Sequence, residues 1–528
     1  MFDILIRHGT VVDGSGAPSF RADIGVKGGL IESVGNLSKD DASSTIDTQG
    51  MVIAPGFIDV HTHSDVVLLV NPKAESAVRQ GVTTQVFPNC GQGTAPAVGE
   101  ALKNVEEQLK PYDLQVSWTS VGEFFSRLET QHPSINIVPM VAHGTVRTAV
   151  LGYEKRKPTA NELDQMREHV EEAMKSGARG LCSGLRYVPG GYADAAELIA
   201  LCDVIKRYRG IYTSHIRSEG DNGDWFNAIN EAISIGEHAN VPVQISHLKA
   251  LGKHVWGKSK QALEIIDAAR SRGIDVTCDQ YPYEASSSSL LVLFSQWAID
   301  GGIDTLFLRL KDNEISKKIE EEFNSTLEMR GGAEKMNVSL YDPDPSLQGM
   351  TLSEVAKKMK KTHFEAAKEL LMATHGQVRM IFHVMDIEDV RRIMIHPNVM
   401  VASDGYALAN YGPLAIGSSH PRSYGCFPRI LARFVREEKL LKLEEAVKKM
   451  THLPASRFRL EDRGLIREGK AADIVIFDPL QVQDKATFDN PHQYPAGIPY
   501  VMVNGKLVIE RGEHTGSRPG KILRNKLT

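Results

Sequence analysis

The sequence predicts an α/β fold, a (β/α)8 barrel that carries a small β-sandwich made from both chain termini and an insertion between barrel strands 7 and 8. Three observations predict it. Short apolar runs alternate with helical patterns through the middle of the chain, as a parallel sheet with covering helices requires. Strand-like runs broken by Gly and Asp turns occupy both ends. Between the last two barrel strands lies a stretch too long for a simple connection.

Eight strands are expected, at residues 57–61, 83–87, 135–141, 180–183, 211–215, 241–247, 275–279 and 399–403. Helical patterns lie between most of them, for example at 161–176, 195–208 and 258–272. An open doubly wound sheet is the other solution, but it usually has fewer strands. The N-terminal runs 4–6, 11–12, 24–26 and 31–34, and the C-terminal runs 472–477, 500–503 and 506–509, read as antiparallel strands. Asn504-Gly505 is a hairpin turn signal between the last two. Residues 286–376 open with four serines and contain helical patterns at 352–360 and 364–374; they are read as an insertion over the barrel mouth. The domain division is therefore 1–54 and 469–528 for the sandwich, 55–285 and 377–468 for the barrel, and 286–376 for the insertion.

Composition narrows the function. The 528 residues are 24% charged and 42% hydrophobic, an ordinary globular balance. The net charge of −5 and the absence of a basic block, apart from a short run at 518–526, exclude the footprint of a nucleic-acid binder. No apolar run reaches the roughly 18 residues of a membrane span, and the N-terminus lacks a signal-peptide core. A cytoplasmic protein is expected. Cys90, Cys182, Cys202, Cys278 and Cys426 are odd in number and scattered, which argues against a disulfide framework.

Chemistry gathers where the predicted strands end. The first ends His61-Thr62-His63, the second Pro88-Asn89-Cys90-Gly91, the fifth Ser214-His215, the sixth Ser246-His247 and the eighth Ser403-Asp404-Gly405. In a strand, residues two apart face the same way, so His61 and His63 point together. Each residue has a bland reading alone: Cys90 as a small buried hydrophobe, His215 and His247 as core histidines, Asp404 as part of a turn. Six metal-competent side chains on five strand ends make a joint accident unconvincing, because barrel active sites are assembled from such ends. A thiolate with imidazoles favours zinc over hard cations. Asp404 is the carboxylate best placed for proton transfer.

The segment Ala54-Pro55-Gly56-Phe57-Ile58-Asp59-Val60-His61-Thr62-His63 resembles the signature of the amidohydrolase superfamily, a group with TIM-like barrels, and Gly469-Lys470-Ala471-Ala472-Asp473-Ile474-Val475 resembles its C-terminal sandwich motif. Nearly the whole chain resembles the N-acyl-D-amino-acid deacylases, or D-aminoacylases. That likeness rests on Asn89-Cys90-Gly91, His143-Gly144-Thr145-Val146-Arg147, Ser214-His215-Ile216-Arg217-Ser218-Glu219-Gly220-Asp221, Ser246-His247-Leu248-Lys249, Ser403-Asp404-Gly405 and His514-Thr515-Gly516.

The resemblance implies that Cys90 replaces the carboxylated lysine that bridges two metals in many relatives. Cys90, His215 and His247 would hold one tightly bound zinc, and His61, His63 and Asp404 would mark a second, weaker position. Leu181-Cys182-Ser183 offers no lysine on the fourth strand, and Cys182 is read as packing. The implied substrate, a small N-acylated amino acid, carries a free carboxylate and needs a cation. Lys249 shares His247's face and resembles the lysine that binds this group, with a structural ion pair as the other reading. Tyr281 offers a hydroxyl, and Arg379 a further cation. His143 is placed on the substrate side as well, with structural support, shared with Arg147, as the alternative. Glu219 and Asp221 are read as orienting the loop after His215; His375, His383 and His396 are read as non-catalytic.

Hydrolysis of N-acyl-D-amino acids is the leading reading, and its D preference comes from resemblance alone. A cyclic-amide hydrolase of the hydantoinase or dihydroorotase kind is the enzymatic alternative, and a non-catalytic scaffold on the same fold is the other. The side-chain and acyl preferences, and the oligomeric state, stay open.

Overall fold

The computed structural model describes residues 1–38, 40–220 and 224–526; Asp221 lies outside the described residues. Both chain ends enter one nine-stranded sheet. The N-terminal part supplies β1 (Phe2–Val11), β2 (Phe20–Lys27), β3 (Leu30–Gly35), β4 (Ala42–Asp47) and β5 (Val52–Pro55). A second set of strands comes from the C-terminal part of the chain and is labelled below. The two parts meet where β5 pairs antiparallel with Ile474–Phe477. Alternating isoleucines and valines such as Ile6, Ile24, Val26, Ile53, Ile474 and Ile476 form its apolar core.

The middle of the chain forms parallel strands at all eight expected places. They are β6 (Phe57–Asp59), β7 (Val82–Phe87), β8 (Asn136–Pro139) continued by β9 (Val141–Ala142), β10 (Gly180–Gly184), β11 (Ile211–His215), β12 (Val243–Ile245) and β13 (Val276–Gln280), with the last at Val399–Val401. β6 pairs with β7 and β7 with β8, while β9 through β13 and the last strand pair in chain order. At the seam between first and last, Thr62 bridges Gly405 in parallel. There Asp404 N–H donates to the His61 carbonyl at 2.9 Å, and His63 N–H to that of Gly405 at 2.9 Å. Val138, Ile211 and Met400, from strands that are not neighbours, pack together in one apolar cluster, as inward-facing residues of such an arrangement must. The helices Ala160–Lys175, Ala195–Arg207 and Ser259–Ser271 lie within a residue of expectation. The first is started by a capping box of Thr159 and Glu162.

Three strands are shorter than their apolar runs predict, the eighth ending at Val401. The first stops at Asp59 and the sixth at Ile245, so His61 and His247 stand beyond the regular ladder. His247 has φ 35°, in the left-handed region, and a residue so turned cannot continue a strand.

After β13, the four serines form β14 (Ser286–Ser289), which pairs with β16 (Arg379–Phe382); β15 (Met336–Leu340) completes a three-stranded antiparallel sheet. The helices Asn313–Met329, Leu352–Met359 and His363–Ala373 lie between these strands in the chain. Phe294, Phe323, Val338, Phe364 and Phe382 give the segment its own apolar cluster. The last parallel strand, Val399–Val401, is β17; β18 (Ile474–Phe477), β19 (Tyr500–Val503), β20 (Lys506–Glu510) and β21 (Glu513–His514) return to the terminal sheet. Between β19 and β20, Asn504 (φ 45°) and Gly505 (φ 76°) make the expected tight turn. Buried Asp473 ties this sheet to the parallel strands: it accepts from Asn504 N–H at 2.6 Å and from Asn136 Nδ2 at 3.0 Å, and pairs with Arg463. No helix among the described residues is long and apolar enough to cross a membrane.

The end of β10 presses on the loop that carries Cys90. A Cβ on Gly184 would lie 1.9 Å from the Cys90 carbonyl oxygen, backbone that cannot swing aside. Gly184→Ala is therefore expected to destabilise the fold by about 1–3 kcal/mol through overpacking. Gly35→Ala, at a glycine with open space around it, serves as the control. Urea unfolding of both variants checks this; a Gly184→Ala midpoint equal to that of the wild type would refute the close approach.

Candidate metal centre

The strand ends bring one thiol into the midst of three imidazoles. Cys90 Sγ lies 3.3 Å from His61 Nε2, 3.4 Å from His215 Nδ1 and 3.3 Å from His247 Nε2. All four side chains are buried. Single donor atoms of His61, Cys90, His247 and Asp404 lie within 4.8 Å of one another, and so do those of His215, Glu219 and His247. His63 reaches the same place through Asp404, with Nε2 3.0 Å from Oδ1; His61 Nε2 is 3.6 Å from that oxygen.

The backbone is bent to make this convergence. Cys90, His247 and Asp404 have φ of 53°, 35° and 50°. Left-handed non-glycine residues carry a conformational cost of order 1–3 kcal/mol and collect at functional sites. Here each turns a side chain at a strand end toward one point.

The donors fit a soft divalent cation. Burial, and then the nearby His247, hold His61 well below the usual imidazole range. Burial holds His215 down at about 3. Both rings are thus neutral at physiological pH, with lone pairs free to coordinate. Burial pushes the Cys90 thiol well up, with the Asp404 charge adding to it. A thiol so placed ionises only when a cation offsets its charge, as metal binding does. Asp404 is different. Burial would raise its carboxyl, but Arg422, His247, His63 and His61 outweigh it and hold it well below the usual carboxylate range.

A carboxylate and a lysine flank the cluster. Glu219 Oε1 is 3.0 Å from His247 Nδ1, and Oε2 is 3.6 Å from His215 Nε2. Lys249 is almost fully buried; it pairs with Glu219, and its Nζ lies 2.8 Å from His247 Nδ1. The Lys249 ammonium, with the imidazoles of His215 and His247 beside it, holds Glu219 below its ordinary range against the opposing effect of burial. Glu219 thus spans two imidazoles and the lysine, a closer engagement than orientation of a loop. Asp279 accepts from His247 N–H at 2.8 Å and lies 3.6 Å from His61 Nδ1. Such partners set the tautomer and tilt of a ligand ring.

The other predicted residues divide. Tyr281 is buried, 5.7 Å from Lys249 Nζ at its ring centroid, and its hydroxyl donates to Met385 Sδ at 3.8 Å. Arg379 is exposed at the start of β16, 5.1 Å over the Tyr406 ring, which lies 5.8 Å from the ring of His63. His143 is buried at the start of the helix His143–Leu151; its Nε2 faces Glu197 at 2.8 Å, and Glu197 also pairs with Arg147. His375 faces Asp304, His396 faces Asp267, and His383 packs on Phe488.

Sequence reasoning missed three contributors. Arg422 is buried 2.8 Å from Asp404 Oδ2. Tyr187 sets its ring 4.8 Å from that of His215. Asp59, held up at about 7 by burial despite bonds from Ser403, supports the seam. No strand-end pattern marks Arg422 or Tyr187, which lie on loops or helix starts; Asp59 stood inside the Phe57–His61 motif and was readable there.

The chain is similar to known proteins over nearly its whole length. Residues 339–509 match the amidohydrolase family model. The N-acyl-D-glutamate deacylase of Alcaligenes xylosoxydans xylosoxydans is 36% identical over 99% of this chain and 96% of its own length. The D-aminoacylase of the same organism is 36% identical over 99% of this chain and 97% of its own. A crystal structure of N-acyl-D-glutamate deacylase from Bordetella bronchiseptica, complexed with zinc and a phosphonate that mimics the tetrahedral intermediate, superposes with TM-score 0.84 at 34% identity, covering 99% of both chains. The fold is thus that of the amidohydrolases. By this full-length identity, the chain belongs to the N-acyl-D-amino-acid deacylase (D-aminoacylase) family.

Proposed function

We propose that this protein is a zinc-dependent hydrolase that removes the acyl group from N-acyl-D-amino acids, releasing a carboxylate and the D-amino acid. The observation that carries the reading is the thiol ringed by three imidazoles beside an ionised aspartate. Full-length identity to two deacylases supports it over the cyclic-amide and scaffold alternatives. In this reading the eight parallel strands form a closed barrel, residues 55–285 and 377–468. Residues 286–376 form the insertion over its mouth, and 1–54 with 469–528 form the sandwich. The Thr62–Gly405 bridge and the β5–β18 pairing support that division. Five buried free cysteines suit a reducing cytoplasm.

Cys90, His215 and His247 would hold the tighter zinc, and His61, His63 and Asp404 a weaker second position, with Cys90 adjacent to both. When bound, zinc polarises a carbonyl and lowers the pKa of a coordinated water to about 7. The protein's own groups do the rest. Asp404 accepts a proton from the attacking water and returns it to the departing nitrogen, which leaves poorly as an amide anion. Lys249, backed by Glu219, faces the substrate's α-carboxylate, with Tyr281 beside it and Arg379 at the rim. His143, bound to Glu197, serves the substrate side by fixing the helix that follows it.

Three measurements test these roles. Cys90→Ala should lower the zinc content of the purified protein, read by elemental analysis; unchanged zinc would sink the ligand assignment. Asp404→Asn keeps shape but cannot take the proton, so turnover should fall roughly 10²–10⁴-fold while the tight zinc stays. Full zinc with near-normal turnover would remove Asp404 from proton transfer. Lys249→Met should reduce kcat/KM roughly tenfold to a few hundredfold on N-acyl-D-amino acids. The loss should shrink on N-acyl amines without the carboxylate, and an equal loss on both would give Lys249 a structural role only.

A further inference from the structure

Behind Asp404, on the side away from the histidines, stands a guanidinium that no strand-end pattern announces. Arg422 Nη1 is 2.8 Å from Asp404 Oδ2, and the two side chains are 4% and 9% exposed. The other oxygen, Oδ1, is the one that meets His63 and His61. We propose that Arg422 is a positioning residue for the reaction: it holds the outer oxygen of Asp404 so that the inner oxygen stays aimed at the histidine side of the site. The proposal rests on the deacylase reading given above.

The backbone of Asp404 is already pinned by its N–H bond to the His61 carbonyl, 2.9 Å, and by φ 50°. What remains free is the rotation of the side chain, and a cation on one oxygen removes that freedom. Arg422 is itself held from several directions. It opens the helix Arg422–Arg429, and its guanidinium carbon lies 4.8 Å from the Tyr281 ring centroid. Its N–H donates to His420 Nδ1 at 3.0 Å, and His420 Nε2 donates to the Ala285 carbonyl at 2.9 Å. The next residue locks the loop after Asp404: Ser423 Oγ accepts from Tyr406 N–H at 3.2 Å, and the Ser423 carbonyl accepts from Gln80 Nε2 at 3.0 Å. These bonds fix the backbone from which the guanidinium reaches Asp404, and the Tyr281 ring lies beside the guanidinium itself. Guanidinium does not deprotonate in proteins, so Arg422 orients the proton carrier and is not one.

The rival role is direct recognition of the substrate's carboxylate, and steady-state kinetics separate the two. Arg422→Met keeps the stem and removes the charge. For this variant kcat should fall roughly 100-fold, the loss that a misplacement of about 1 Å brings, with KM within about threefold. The tight zinc should be retained, and added guanidinium ion should restore part of kcat. A crystal structure should show the Asp404 carboxylate rotated away from His63. A raised KM with kcat kept, or an unmoved carboxylate with kcat lost, overturns the proposal. Arg422→Lys covers failure of the first variant to fold. It should lose less kcat at the same KM, and a Lys variant with raised KM and full kcat overturns the proposal equally. An inactive wild type on N-acyl-D-amino acids would instead sink the deacylase reading, while an active wild type with wild-type-like Arg422 variants would sink this proposal alone.

Discussion

The site is built on the contact of one buried thiol with three imidazoles. Cys90 Sγ stands 3.3–3.4 Å from three ring nitrogens. Desolvation disfavours the Cys90 thiolate and the charged forms of His61 and His215. A divalent cation reverses that preference: it ionises the thiol and uses the lone pairs that burial keeps free. Much of the surrounding architecture serves to hold these donors in place before any cation arrives. The left-handed turns at Cys90, His247 and Asp404, the close approach of Gly184 and the shortened first and sixth strands all point to the same few cubic ångströms.

The charges around the cluster come in matched pairs. Glu219 with Lys249 lies on one side, and Asp404 with Arg422 on the other. A lone buried charge is expensive; removing one partner of such a pair commonly costs about 3–5 kcal/mol because the other is left unpaired. Pairing lets the site keep two carboxylates ionised in a space with little water. It also separates their duties. Glu219 touches His215 and His247, so it tunes ring orientation, whereas Asp404 touches His61 and His63.

The insertion and the terminal sheet act at a distance from this chemistry. The segment between β13 and β17 carries an apolar cluster of its own, and Arg379 stands at the start of β16, over the Tyr406 ring. Asp473 serves the terminal sheet. Through Asn136, Asn504 and Arg463 it fastens both chain ends to the third parallel strand. The Gly469–Asp473 motif is therefore structural, a reason for its presence that the residues alone did not disclose.

Much of this was legible in the residues. Alternation of apolar runs located all eight parallel strands, because burial on both faces leaves a continuous apolar signal. The convergence of His61, Cys90, His215, His247 and Asp404 could be read because parallel strands end on one side of their sheet, so position along a strand stands in for position in space. Contacts made through loops carry no such periodic signal. Arg422 lies 18 residues past Asp404, as 422 minus 404, on a stretch without strand or helix pattern before it, and only folding sets it against that carboxylate. Lys249 was readable as a cation beside His247, but its engagement by Glu219 was not. The boundary is physical: local sequence determines which residues stand at strand ends, whereas the packing of loops from distant segments decides which charges meet and which oxygen of Asp404 faces the metal centre.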